Sequence, residues 1–283
     1  MKRVRLMLQN AARYPGSFLV RLLCGAAALI VAGALALIIG YILITGIPNL
    51  KPSLFALEYN SENVSLLPAL FNTVIMTLLS LLLAVPLGVG GAIYLAEYAN
   101  RSSRIVKAVR LTAETLAGIP SILYGLFGMM FFVTSLRWSY SLLAGGMTLA
   151  VMILPLILRT TEEALLSVPD SYREGSFGLG AGRLRTVTHI VLPPAMSGIL
   201  AGVILAIGRV VGETAALIYT AGTVADWPKG VMSSGRTLAV HMYVLSGEGL
   251  HVSEASATAV VLLVIVVGMN ALSAFAAKKL TRG

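Results

Sequence analysis

Residues Arg173–Ala195 read REGSFGLGAGRLRTVTHIVLPPA. The stretch is polar and glycine-rich at its start. Uncharged apolar runs flank it, at 138–158 and from 186 onward. A connector between two membrane spans needs only to turn the chain, but this one carries helix signals. Asp170 can cap a short helix beginning near Ser171, with Glu174 in its first turn. Gly178, Gly180 and Gly182 break that helix, a second short helix over about Arg183–Ile190 follows, and Pro193–Pro194 end it before the next span. A helix–turn–helix projecting from a membrane is a shape suited to docking into another protein's groove. The run GLGAG (Gly178–Gly182) superficially matches a dinucleotide-binding loop, but no strand pattern precedes it, so that reading fails.

Working outward, the whole chain is of membrane composition. Its 283 residues are 57% hydrophobic and only 12% charged, with a mean hydropathy of +0.88. Soluble domains carry about 25% charged residues. A span needs about 20 apolar residues. Six are expected, near 20–47, 67–96, 114–136, 140–159, 195–220 and 255–277. Residues 1–19 form an N-terminal segment, 20–283 one transmembrane domain, and 160–194 its docking loop. Pro68, Pro86, Pro120 and Pro155 trim or kink spans, which neighbouring helices and water tolerate. The first apolar run is far longer than a signal-peptide core of about 7–15 residues, so it reads as a retained span.

The net charge of +9 is a topology signal and does not call for nucleic acid. Lys2, Arg3, Arg5, Arg13 and Arg21 precede or open the first span. Arg101, Arg104, Lys107 and Arg110 follow the second. Arg159, Arg173, Arg183 and Arg185 follow the fourth, and Lys278, Lys279 and Arg282 close the chain. The opposite loops hold only Lys51, Arg137, Lys229 and Arg236. Sixteen against four places both termini and the docking loop in the cytoplasm. Trp138, Tyr140 and Trp227 then fall at the outer ends of spans, where aromatic belts belong. Cys24 is the single cysteine, which excludes an internal disulfide and a thiolate metal cluster. His189, His241 and His251 are scattered and read as structural or surface residues. No G-x-x-x-x-G-K-[ST] pattern occurs, so the chain is not an enzyme in its own right and no metal or cofactor is expected on it.

The docking loop resembles that of ATP-binding-cassette importer permeases, which runs E-A-A, three residues, G, nine residues, I-x-L-P. Glu174, Gly175 and Ser176 stand at the first three positions, Gly180 at the fourth, and Ile190, Leu192 and Pro193 at the last. Gly175 and Ser176 depart from the alanines but stay small. GGAIYLAEYANRS (Gly90–Ser102), GIPSILYGLFG (Gly118–Gly128), LRTTEEAL (Leu158–Leu165), GRVVGETAALIYTAG (Gly208–Gly222) and RTLAVHMY (Arg236–Tyr243) are similar to phosphate-importer permeases of the PstA type. The resemblance implies an all-α membrane protein with a type I ABC importer permease fold, whose loop forms coupling helices on an ATPase. It also implies a PstC-type permease, a PstB-type ATPase dimer holding ATP and magnesium, and a PstS-type phosphate-binding protein as partners. Rival readings are a permease for sulfate or molybdate, a proton-driven transporter, and a scaffold that signals phosphate status.

Arg209 and Glu213 interrupt the fifth apolar run. On one continuous helix Arg209 lies about 21 Å from Ala195, near the bilayer midplane, where facing lipid costs at least about 2.5–3.5 kcal/mol. Arg209 is therefore expected to face the bundle interior, with Glu213 at i+4 neutralising it. A guanidinium suits phosphate because its planar fork donates two parallel hydrogen bonds. A buried pair that only locks helices is the alternative. Gly208, Gly212 and Ala216 form a small-residue stripe that admits a neighbouring helix. Arg159 and Glu114, at the cytoplasmic ends of spans four and three, are further pathway candidates. Each has a simpler reading, Arg159 as a snorkelling cation and Glu114 as a partner of the helix N-terminal dipole.

Overall fold

The computed structural model describes residues 15–100 and 102–280. Most of the N-terminal segment 1–19 lies outside them, as do Lys2, Arg3, Arg5, Arg13, Arg101 and Arg282. Among the described residues every regular element is helical. The side of the bundle that carries Arg173–Ala195 is called the loop side below, and the opposite end the far side.

Helix α1 (Pro15–Gly46) carries one charge, Arg21, and its most apolar window buries nothing inside the chain. It packs on the last helix at Gly46, where any Cβ would overlap Ser256 and Val260. After two 3-10 turns, α2 (Leu67–Ile93) crosses the bundle and runs on through a π-helical turn, Tyr94–Tyr98. The Ala99 N–H there reaches back five residues to Tyr94 O at 2.8 Å. Helices α3 (Arg104–Ala117) and α4 (Ser121–Gly128, extended by a π turn to Ser135) follow. Then come α5 (Leu142–Leu166), α6 (Asp170–Gly178), α7 (Arg183–Thr186), α8 (Leu192–Val211), α9 (Ala215–Ile218), α10 (Leu238–Glu248) and α11 (Val252–Leu280).

Helix α5 is the axis of the bundle, and α2 and α8 are its main partners. Glycines set how closely these helices approach. A Cβ on Gly202 of α8 would overlap the Thr160 hydroxyl, one on Gly198 would press into Ala164, and one on Gly88 would come 2.8 Å from Ile157. Core residues fall into three levels. A middle level includes Met76, Leu149, Ile153, Ala206 and Leu217, a far-side level Leu54, Leu66, Leu238 and Leu245, and a loop-side level Ala164, Leu165, Val191 and Ile199. Burial of a leucine or isoleucine contributes about 1.5–3 kcal/mol in water. Between helices in lipid the gain comes instead from close packing, which is why small residues line the seams.

Several span boundaries differ from the sequence expectation. The third span is not a single helix over 114–136. Residues 114–117 end the charged, amphipathic α3, which is bent by 101° from the apolar α4 that holds most of the span. Pro120 disfavours helical geometry at Ile119 and is itself extended (ψ 138°), which turns the chain between the two helices. Glu114 therefore lies on α3 and does not open the span. The fourth span continues past 159 to Leu166, because Glu162 and Glu163 find basic partners and helix-stopping geometry arrives only before Pro169. Pro193–Pro194 do not end a helix. They sit in the first turn of α8, following the π turn Val187–Val191, in which the Leu192 N–H donates to Val187 O. Proline has no N–H to leave unpaired there. The fifth span ends at Val211 and does not reach 220.

Candidate functional site

The break at Val211 reorders the charges expected to pair. Arg209 sits in the last turn of α8, half-buried, where free carbonyls and the negative end of the helix dipole favour a cation. Gly212 and Glu213 close the helix with backbone bonds to Gly208 O (3.3 Å) and Val210 O (3.2 Å). The chain then restarts as the single turn α9. Glu213 is buried at 8% exposure, and its Oε1 accepts the Ala216 N–H at 3.1 Å, so it caps that turn. The expected i+4 ion pair is not formed, because the two residues stand on opposite sides of a helix end. Among the described residues no carboxylate lies within 4.0 Å of the Arg209 guanidinium. Tyr124 on α4 is its electrostatic neighbour, with a hydroxyl that donates to Leu116 O at 2.7 Å.

The small-residue stripe also works differently. Gly208 has no outside atom within 4 Å of a built Cβ, and Gly212 meets only the Gly208 carbonyl. The close approach is at Ala216, where a Cβ on Gly125 of α4 would come within 2.7 Å of its Cα. α4 thus clamps the broken segment. A discontinuous helix inside the bundle is where transporters expose backbone and charge to a solute. Beside the break, Thr214 and Tyr219 help line a cavity of about 720 Å³. Tyr41, Thr45, Tyr243 and Ser256 line it as well, and among the described residues no charged one does.

Arg159 and Glu114 are brought together. Arg159 Nε donates to Glu163 Oε1 at 2.9 Å, and its Nη1 stands 3.8 Å from Glu114 Oε1. Arg110 of α3 pairs with Glu162 of α5 at 2.6 Å, and the two pairs line a pocket of about 240 Å³. Arg110 and Glu162 were not among the sequence candidates. The signal was present, since Arg159, Glu162 and Glu163 share one helical face. Arg209 lies seven residues beyond the Gly202–Thr160 crossing, about 10 Å from this charged belt along α8.

The docking loop is a helix–turn–helix, but its second helix runs on into α8 without the expected stop at Pro193–Pro194. Asp170 does not cap α6. It stands in the first turn and pairs with Arg173 at 3.1 Å. Gly180 has φ +82°, the left-handed conformation that a side chain resists. Its N–H reaches Phe177 O at 2.9 Å while the Ala181 N–H reaches Ser176 O at 3.1 Å, a complete Schellman end. Ser176 then joins the two helices through the Thr186 hydroxyl at 2.8 Å. Glu174, Gly175, Ile190 and Pro193 are exposed, and Leu192 packs inward on the loop-side core. Tyr172, Phe177, Leu179 and Leu184 expose an apolar surface beside them, with Leu179 at 92% exposure. Patches of this kind on a loop mark a protein contact.

A buried polar cluster at the far side was not legible in sequence. Arg236 is 4% exposed and donates to the Tyr59 hydroxyl at 3.0 Å, and Asn72 Nδ2 donates to Arg236 O at 3.2 Å. His241 is fully buried against Tyr59. Burial, and next the nearby Arg236 charge, push its pKa down to about 3, so the ring is neutral.

Comparison with known proteins adds findings of three kinds. Residues 88–282 match the family model described as binding-protein-dependent transport system inner membrane component. The chain is 34% identical over 241 residues to a probable ABC transporter permease protein, YqgI, of Bacillus subtilis, covering 80% of this chain and 82% of that one. It is 40% identical to the phosphate transport system permease protein PstA 1 of Mycobacterium tuberculosis over 54% of this chain, a match spanning about half (50%) of that relative. PstA of Pasteurella multocida is 40% identical over 62% of this chain and 63% of its own. In structure, the chain is similar to a bacterial alginate ABC transporter at TM-score 0.68, with 14% identity, 96% of this chain and 97% of that one covered. The MetNI methionine ABC transporter aligns at TM-score 0.59, 18% identity and 86% and 98% coverage.

Proposed function

We propose that this chain, which belongs to the binding-protein-dependent transport system inner membrane components, carries inorganic phosphate as the PstA-type half of an ATP-driven importer. It is an ABC importer permease subunit with the type I fold. The observation that carries the phosphate reading is Arg209, a half-buried guanidinium at the end of α8 whose expected counter-ion is bonded elsewhere. A cation left without a carboxylate beside a broken helix favours an anionic solute. Its fork matches two phosphate oxygens. Arg159 and Glu114, in the belt about 10 Å away along α8, then act as the next station, where ion pairs open to pass the anion on.

The reading extends to the assembly. A PstC-type permease completes the pathway, a PstS-type protein delivers phosphate, and a PstB-type ATPase dimer with ATP and magnesium seats on α6 and α7. Both termini then lie in the cytoplasm of a bacterial inner-membrane protein. Nucleotide and the loaded binding protein bias the pathway between its two accesses.

The test is uptake into proteoliposomes holding all four kinds of subunit, with sulfate and molybdate as competitors. Arg209→Gln should lower ATP-dependent phosphate uptake at least about tenfold, the factor that 1.4 kcal/mol supplies, in a complex that still assembles. Sulfate or molybdate carried as fast as phosphate would assign the pathway to another oxyanion. Normal uptake by Arg209→Gln would remove Arg209 from it.

A further inference from the structure

We infer that Arg173 is the strut that carries movement of the docking helix α6 into the membrane spans, by way of Glu97 at the loop-side end of α2. The inference rests on the reading that α6 and α7 seat on an ATPase. Arg173 precedes Glu174 by one residue, so the two leave the helix on different faces. Glu174 is exposed, whereas Arg173 is only 9% exposed and bonds inward.

All three guanidinium nitrogens are engaged. Nη2 donates to Glu97 Oε1 at 2.6 Å and to Leu165 O at 2.8 Å. Nε donates to both Glu97 oxygens, at 3.1 and 3.2 Å. Nη1 donates to Val168 O at 2.7 Å and to Asp170 Oδ1 at 3.1 Å. One planar group thus ties together the π turn that ends α2, the last turn of α5, the link after it and the first turn of α6. Leu165 O already accepts the Val168 N–H at 3.3 Å, so the guanidinium adds a second donor at the end of α5.

A buried ion pair is weak support for stability, since desolvation offsets most of its attraction. It is strong support for geometry. The fork fixes direction as well as distance, so turning α6 against α2 breaks the Nε and Nη2 bonds together. The nearby core is apolar, with Ala96, Leu165 and Val168 among its buried residues, and such packing has no preferred direction of its own. Arg173 and Glu97 make the joint stiff, so that a push on the exposed face of α6 moves the end of α2.

The experiment measures phosphate imported per ATP hydrolysed in the reconstituted transporter. A residue that only stabilises the fold lowers both rates in parallel and leaves their ratio alone. Glu97→Ala should lower the ratio at least about fivefold, the low end of typical coupling between sites, and Glu97→Asp should fall between Ala and wild type. Should Glu97→Ala not assemble with the ATPase, Glu97→Gln keeps the side-chain volume and one accepting oxygen and carries the same expectation. A wild-type ratio in whichever variant assembles overturns the strut, however low its absolute uptake. Absence of ATP-dependent uptake in the wild type is a different result, which removes the transport reading and the strut with it.

Discussion

Glu213 gives its carboxylate to the backbone N–H of Ala216, and this choice decides what Arg209 can do. Spacing in the sequence could show the two charges but not the helix end between them. Glu213→Ala should cost about 0.5–2 kcal/mol, as loss of a cap does, and lower the melting temperature of the purified complex, while Glu213→Gln retains an accepting oxygen and melts near wild type. Exchanging the two residues tests the phosphate contact directly. The double variant Arg209→Glu with Glu213→Arg should not transport, because a carboxylate then stands where the anion passes. It should also melt below wild type, because arginine cannot accept the Ala216 N–H. Near-normal uptake by the exchanged protein would refute the phosphate contact.

At the scale of elements, the docking loop shows which glycines matter. Gly180 holds φ +82° in the turn between α6 and α7, whereas Gly175 is helical with nothing within 4 Å of a built Cβ. Proline at 180 cannot take a positive φ and removes the N–H that reaches Phe177 O. Gly180→Pro should therefore insert in the membrane, lose most ATPase co-purification and not import phosphate. Gly175→Ala should import at the wild-type rate and gain up to about 1 kcal/mol of helix stability. A transporting Gly180→Pro variant with a full ATPase complement would show that the turn does not shape the docking surface. The seams between spans behave differently again. Gly202→Val should prevent stable assembly, since α8 cannot then lie on Thr160, and protein recovered from the membrane measures this.

For the whole molecule, the two faces of the membrane give separate tests. In a Cys24→Ser background, a cysteine at Gly247 should react with an impermeant thiol reagent in intact cells, and one at Ser102 only after lysis. The reverse pattern would invert the proposed orientation. The far-side cluster adds a pH dependence. The folded pKa of His241, about 3, lies below its ordinary value of about 6.5, so the unfolded chain binds the extra proton between them. The stability from this group is thus complete above pH 6.5 and is lost as pH falls toward 3. Melting temperature should drop across that window, and His241→Phe should flatten the drop. An unchanged slope would mean that His241 already finds a partner for its charged form.

Hydrophobic runs, lysine and arginine placement, and the spacing from Glu174 to Pro193 were enough to expect six crossings, a docking loop and the permease family, because each depends on short stretches of chain meeting lipid or water. The breaks were harder to read. A membrane helix tolerates glycine and proline when neighbours satisfy its backbone, so Gly118–Pro120, Pro193–Pro194 and Gly212 look alike in sequence yet give a 101° bend, a π turn and a helix end. Partner choice among charges was hidden for the same reason. Arg173 with Glu97, and Arg110 with Glu162, join residues far apart in the chain. In a low-dielectric bundle, which carboxylate meets which guanidinium depends on how helices cross, and only the tertiary structure decides that.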